Sequence, residues 1–177
     1  MQPTPWSNRP DVGLSAYFIH ADASFCQQLT DFHELHGYYS RRLRGDKMMT
    51  QSALYDEFAA GLQFPYYFGE NRNAFDECIS DLGDRDVGKG VSISISDCDL
   101  ILKKAPLDAF AFLLDSLRRA GNIWGTPIKE QQSWDREAKP FIITLFSQDE
   151  DYSRIEEKWS SYEITVNHAP IPKLNVY

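Results

Sequence analysis

The chain has 177 residues, 42% of them hydrophobic and 14% aromatic, a composition that builds a core and excludes a disordered polymer. A chain of that length buries roughly 70% of its unfolded surface, so one domain with an extension needs no disulfide or metal staple. Eighteen Lys and Arg against 26 Asp and Glu leave a net charge of −8, which argues against a nucleic-acid footprint and is compatible with a basic partner.

The elements follow in chain order. A Pro-rich leader over 1–15 is read as flexible, and Ala16–Ala21 then reads as a first strand. Ser24 with Gln27 forms a capping-box pattern, Phe25, Leu29 and Phe32 share a helix face, and Gly37 stops that helix. Tyr38–Leu43 reads as a second strand. Thr50–Ser52 caps a helix carrying Leu54, Phe58 and Leu62, which ends at Phe64-Pro65. Asn71 caps the next helix, with Ala74, Phe75, Cys78, Ile79 and Leu82 on one face and Asn73, Asp76, Glu77, Ser80 and Asp81 on the other.

After a turn over Gly83–Gly90, Val91–Ser96 alternates strictly and predicts a strand with one apolar and one small polar face. Pro106 starts a helix reaching about Ala120, with Leu107, Phe110, Leu114 and Leu117 inward. An irregular stretch, Gly121–Pro140, carries Trp124 and Trp134, both read as covering the core edge. Phe141–Phe146 is apolar on both faces, as in a covered central strand. A short helix (Tyr152, Ile155, Trp159) and a strand over Tyr162–Val166 close the chain. The alternation defines an α/β domain with a largely parallel sheet over 16–147, and a C-terminal extension over 148–177 packed on it.

Catalytic patterns are weak. Three cysteines, Cys26, Cys78 and Cys98, give an odd count without framework spacing, so they read as free thiols in a reducing compartment. The first ten residues lack a signal-peptide core and no apolar run is long enough for a membrane helix, so a cytoplasmic location is expected. Gly83–Lys89 matches the first part of a phosphate-binding loop, but Gly90 replaces the needed hydroxyl and the helix and strand stand in reversed order. His33 and His36 lie three apart, not four, and no third ligand accompanies them. No Gly-x-Ser-x-Gly elbow occurs. Neither a metal nor a cofactor is expected.

The segment Phe64-Pro-Tyr-Tyr-Phe-Gly-Glu-Asn-Arg-Asn-Ala-Phe-Asp-Glu-Cys-Ile79 joins a Pro stop, an aromatic cluster, a Gly bend, an Asn cap and an acidic helix face. This order resembles the signature of the barstar family, intracellular inhibitors of barnase-type ribonucleases. The order of strands and helices from about 38 to 146 is similar as well. The resemblance implies a small, mainly parallel sheet covered by helices, and a non-enzymatic protein. It implies that the motif helix and its lead-in loop cover a basic active site, with carboxylates where substrate phosphates would bind. By motif position the contacts would be Tyr67, the bend Gly69, Asn71, Asn73, Asp76, Glu77 and Ser80, with Glu77 the central carboxylate. Asn73 stands where Asp is frequent and Asp76 where an aromatic occurs in the best-known members.

The leading expectation is thus an immunity or antitoxin protein, monomeric when free, whose partner is a basic ribonuclease toxin. Two rivals stay open: a module binding a non-nuclease partner, and a hydrolase using two carboxylates near 121–140. Glu70, Asp76, Glu77, Asp81, Asp84 and Asp86 are offset in that stretch only by Arg72 and Arg85, so the acidity is concentrated where the motif lies.

Overall fold

The alternation over Val91–Ser96 forms a strand whose two rows of side chains are both buried, because helices lie on both sides of it. The computed structural model describes residues 12–133, 135–149 and 151–174, without the side chain of Asp84. The leader up to residue 11 and Trp134 lie outside the described residues.

Among the described residues the strands are β1 (Gly13–His20), β2 (Tyr39–Arg44), β3 (Val91–Ser96), β4 (Pro140–Ser147) and β5 (Val166–His168). The helices are α1 (Ala23–Leu35), α2 (Gln51–Leu62), α3 (Arg72–Asp81), α4 (Leu107–Gly125) and α5 (Tyr152–Ser160). The strands make one parallel sheet of order β2-β3-β4-β1-β5. This is the α/β sheet covered by helices that the strand–helix alternation predicts. Parallel crossovers are right-handed, so a connection running the opposite way along the sheet lands on the opposite face. The step from β1 back to β2 is the one that reverses, and α1 accordingly sits alone on its face among the described helices.

The larger core lies on the other face. Val91, Ile93 and Ile95 of β3, with Phe141, Ile143 and Leu145 of β4, pack against Leu54, Phe58, Phe75, Ile79, Leu114 and Trp159. Under α1 the polar residues Ser40, Ser92, Ser94, Ser96 and Thr144 are buried with Ile142, beside a small apolar cluster (Ile19, Cys26, Leu29, Phe146).

Several boundaries differ from the sequence expectation. β1 starts at Gly13, so residues 13–15 belong to the sheet and not to a flexible leader. Asp22, not Ser24, caps α1, accepting from the Phe25 N–H at 2.9 Å. Its buried stripe is Cys26, Leu29, Thr30 and His33. α4 runs on to Gly125. A Cβ at Gly121 would stand 2.5 Å from that of Leu14, and one at Gly125 would stand 2.8 Å from the Gly13 Cα; these glycines allow helix and strand to touch and do not end the helix. Trp124 thereby becomes a buried helical residue. β5 pairs only over Val166–His168, one short rung beside β1, while Tyr162 packs on the core.

Candidate protein-binding site

The lead-in loop sorts its aromatics by face. Phe64 and Phe68 turn inward, their ring centroids 5.1 Å apart, and join Phe75 and Tyr55. A turn closed by Phe68 N–H donating to the Pro65 carbonyl at 2.9 Å throws the two residues between them outward. Tyr66 is fully exposed and Tyr67 is 66% exposed, and the rings meet edge to face at 5.6 Å. Large exposed aromatics offer binding area at low entropic cost. Tyr66 is not among the motif-derived contacts; the inward Phe residues on either side of the tyrosine pair are the signal for it.

Asn71 fixes the start of α3. Its Oδ1 accepts from the Ala74 N–H at 3.0 Å, and its Nδ2 donates to the Gly69 carbonyl at 3.1 Å. One side chain thus caps the helix and ties down the bend before it. A Cβ at Gly69 would lie 2.9 Å from that Nδ2, so the turn favours glycine. Glu70 takes a left-handed backbone conformation with φ of 47°.

The helix itself has three flanks. Phe75, Cys78 and Ile79 face the core, with Phe75 set against Phe58 at 5.1 Å and Phe112 at 5.7 Å. Asn73, Glu77 and Ser80, spaced i, i+4, i+7, form the outward stripe, Ser80 half-buried at its end. Asp76 goes to a third place. Its carboxylate accepts from the Ser116 hydroxyl and from Arg119 at 2.6 Å, and Arg119 also holds Asp115 at 2.6 Å. Asp76 is therefore turned to α4 and neutralised there, while the adjacent Glu77 is exposed.

The two basic residues that offset the acids in sequence are also tied to the scaffold. Arg72 donates to Asp108 at 2.6 Å and lies 5.0 Å over the Phe112 ring. Arg85 donates to the carbonyls of Leu62 and Leu82 at 3.3 and 2.8 Å and of Gln63 at 2.5 Å, closing the C-terminal ends of α2 and α3, where a cation is favourable. Glu70, Glu77 and Asp81 remain exposed on the α3 side; Asp81 also accepts from the Gly83 N–H at 2.8 Å.

Elsewhere the titratable groups serve the fold. His33 Nδ1 is 2.6 Å from the Ser92 hydroxyl, and burial, with a smaller push from His36, lowers its pKa to about 4. Asp135, in the segment a carboxylate hydrolase would use, accepts backbone N–H groups of Glu130, Gln131 and Gln132, which lowers its pKa. Burial raises the thiols of Cys26 and Cys98, the former to about 12. Among the described residues no three His, Cys, Asp or Glu gather as a metal ion would require. None of the described helices is long and apolar enough to cross a membrane.

A parallel sheet whose helices hold one capped helix and its aromatic loop toward solvent defines the class: a small α/β protein with a presented helix stripe. The Barstar (barnase inhibitor) family model matches residues 38–145, more than half of the chain, and the chain belongs to that family. Membership carries a barnase-inhibitor-like role in general; the family's members are inhibitors and not enzymes. A comparison with curated proteins returned no match. The matched span runs from the start of β2 into β4 and contains α2, α3 and α4. β1, α1, α5 and β5 lie outside it.

Proposed function

We propose that this protein neutralises a ribonuclease toxin by laying α3 and its lead-in loop over the enzyme's basic active site. The observation that carries this reading is the division of α3: Asn73, Glu77 and Ser80 face outward beside Tyr66 and Tyr67, while neighbouring cations are held by the scaffold. Glu77 stands in for a substrate phosphate against arginine or lysine, a charge-assisted and often bidentate contact. Tyr67 and Tyr66 cover the rim of the enzyme cleft. Gly69 and Asn71 set the loop geometry, Asn71 offering whatever hydrogen-bonding capacity its cap leaves. Asn73 adds a neutral hydrogen-bonding group. Asp76 contributes at the edge of the stripe, by fixing α3 on α4. We place the protein in the cytoplasm, monomeric when free, as an immunity or antitoxin partner, with residues 148–177 as an extension packed on the inhibitory domain.

The test is protection of cells from a co-expressed barnase-type ribonuclease, paired with titration calorimetry of the purified proteins. Protection and saturable binding that Glu77→Ala weakens are expected. Unimpeded nuclease activity in the presence of excess protein would overturn the reading. A second reading is favoured by one observation, the capture of Asp76 by Arg119, which leaves one fewer exposed carboxylate for a phosphate-binding cleft. Under it the same stripe binds a basic protein that is not a nuclease, and the cells go unprotected although the stripe still binds its partner.

A further inference from the structure

Among the described residues, the face of the sheet under α1 is unlike any other buried surface. Ser40, Arg42, Ser92, Ser94, Ser96 and Thr144 point toward α1's side of β2, β3 and β4, and the serines and the threonine are at most 1% exposed. Ser92 meets His33 and Ser96 accepts from Arg42 at 3.5 Å. The Ser40, Ser94 and Thr144 hydroxyls are buried with no hydrogen-bond partner among the described residues, while the Arg42 guanidinium interacts with the Cys26 thiol of α1. α1's apolar contacts form a smaller cluster, where Phe25, Cys26, Leu29 and Phe32 meet Tyr17, Ile19, Ala21 and Phe146, and Ile142 is buried on the same face of the sheet, in register with Ser92.

These facts decide what happens when a helix leaves the sheet. Lifting α2, α3 or α4 exposes the large apolar cluster to water, which is unfavourable in proportion to its area. Lifting α1 exposes a much smaller apolar cluster together with the row of hydroxyls, and the buried hydroxyls without protein partners gain hydrogen bonds to water on opening. The helix is bounded by the short links Ala21–Asp22 and His36–Tyr38, and Gly37 has φ of 85°. We infer that α1 is a cover that opens locally, as one unit, while the sheet and the helices of the opposite face stay folded. Opening would present a hydroxyl-lined sheet face opposite α3 and leave the candidate stripe intact. This holds whether or not the partner is a ribonuclease.

The full chain carries its own reporters. Cys26 sits on the inner side of α1 and Cys98 in the core of the other face. With its thiol pKa pushed up to about 12 by burial, Cys26 presents little reactive thiolate at pH 8 until the helix opens. Labelling with a thiol reagent at pH 8 across sub-denaturing urea, with sites assigned by mass spectrometry, separates the two. Cys26 is expected to react at least ~100-fold faster than global unfolding allows, with little dependence on urea. Labelling of Cys26 only at the global unfolding rate, with the global urea dependence, would overturn the inference. Ser94→Ala and Thr144→Val each remove an unpartnered buried hydroxyl, and each should slow Cys26 labelling by about tenfold, while that of Cys98, which waits on global unfolding, slows by no more than the same factor. Unchanged or faster labelling of Cys26 in both variants would remove the hydroxyl row as the cause.

Discussion

Asp76 and Glu77 are neighbours in sequence and carry the same charge, yet the fold gives them different work. Asp76 reaches α4 and is held by Ser116 and Arg119; Glu77 looks out from the same helix into solvent. An acid whose charge is matched inside the molecule contributes to the fold, whereas one left exposed on a scaffolded stripe is available to another molecule. An acidic helix face is therefore not one surface. Roughly 100° of rotation separates a packing group from a solvent-facing one.

The comparison predicts a separation of effects. Glu77→Ala should weaken binding to a ribonuclease partner by about 3–5 kcal/mol where the carboxylate is buried against a cation, with the thermal midpoint unchanged; calorimetry and a melting curve read the two quantities independently. Loss of stability with no loss of affinity would exchange the two acids' roles.

Acid offers a control away from α3, on a group that acts on the fold alone. His33 is buried against Ser92, with His36 just past the end of the same helix adding to the effect of burial. Its folded pKa lies near 4, below the ordinary value of 6.5. The unfolded chain therefore binds the proton first, so stability is full above about pH 6.5 and falls as pH drops toward 4. The loss approaches about 3 kcal/mol. Urea unfolding of His33→Gln against the parent at pH 7 and pH 4.5 checks it, the variant being expected to show a smaller fall.

The smaller effects belong to the packing side of α3. Asp76→Ala should reverse the Glu77 pattern, costing about 1–2 kcal/mol of stability in urea unfolding, since Arg119 keeps Asp115. Asn71→Ala should cost about 1 kcal/mol through the lost cap, and in hydrogen exchange the first turn of α3 should lose protection while α4 does not.

Much of the fold and of the stripe is legible in the order of residues alone. Strict alternation places β3, and the Asn71 cap and apolar spacing place α3, because both depend on neighbours in sequence. Local signals also bound the loop, since Pro65 and Gly69 have few conformations open to them. What the sequence hides is set by distant partners. Arg119 lies 43 residues from Asp76, and nothing near Asp76 announces that it turns inward. Gly121 reads locally as a helix stop, yet it marks the place where α4 touches β1. β5 lies further along the chain than its apolar pattern suggests because only three residues pair with β1, too few to leave an alternation.

The position of β1 also orders events in time. It precedes the other described strands along the chain, but in the finished sheet it lies between β4 and β5. Its long register, Gly13 with Pro140 through His20 with Ser147, cannot form until residue 147 has left the ribosome. β2 and β3 can pair earlier, with β1 waiting at the side for β4. Such long-range closure is slow, and protease treatment of stalled nascent chains should show β1 protected only once residue 147 has emerged. The growing chain thus holds β1 in reserve until β4 and then β5 emerge and close the sheet around it.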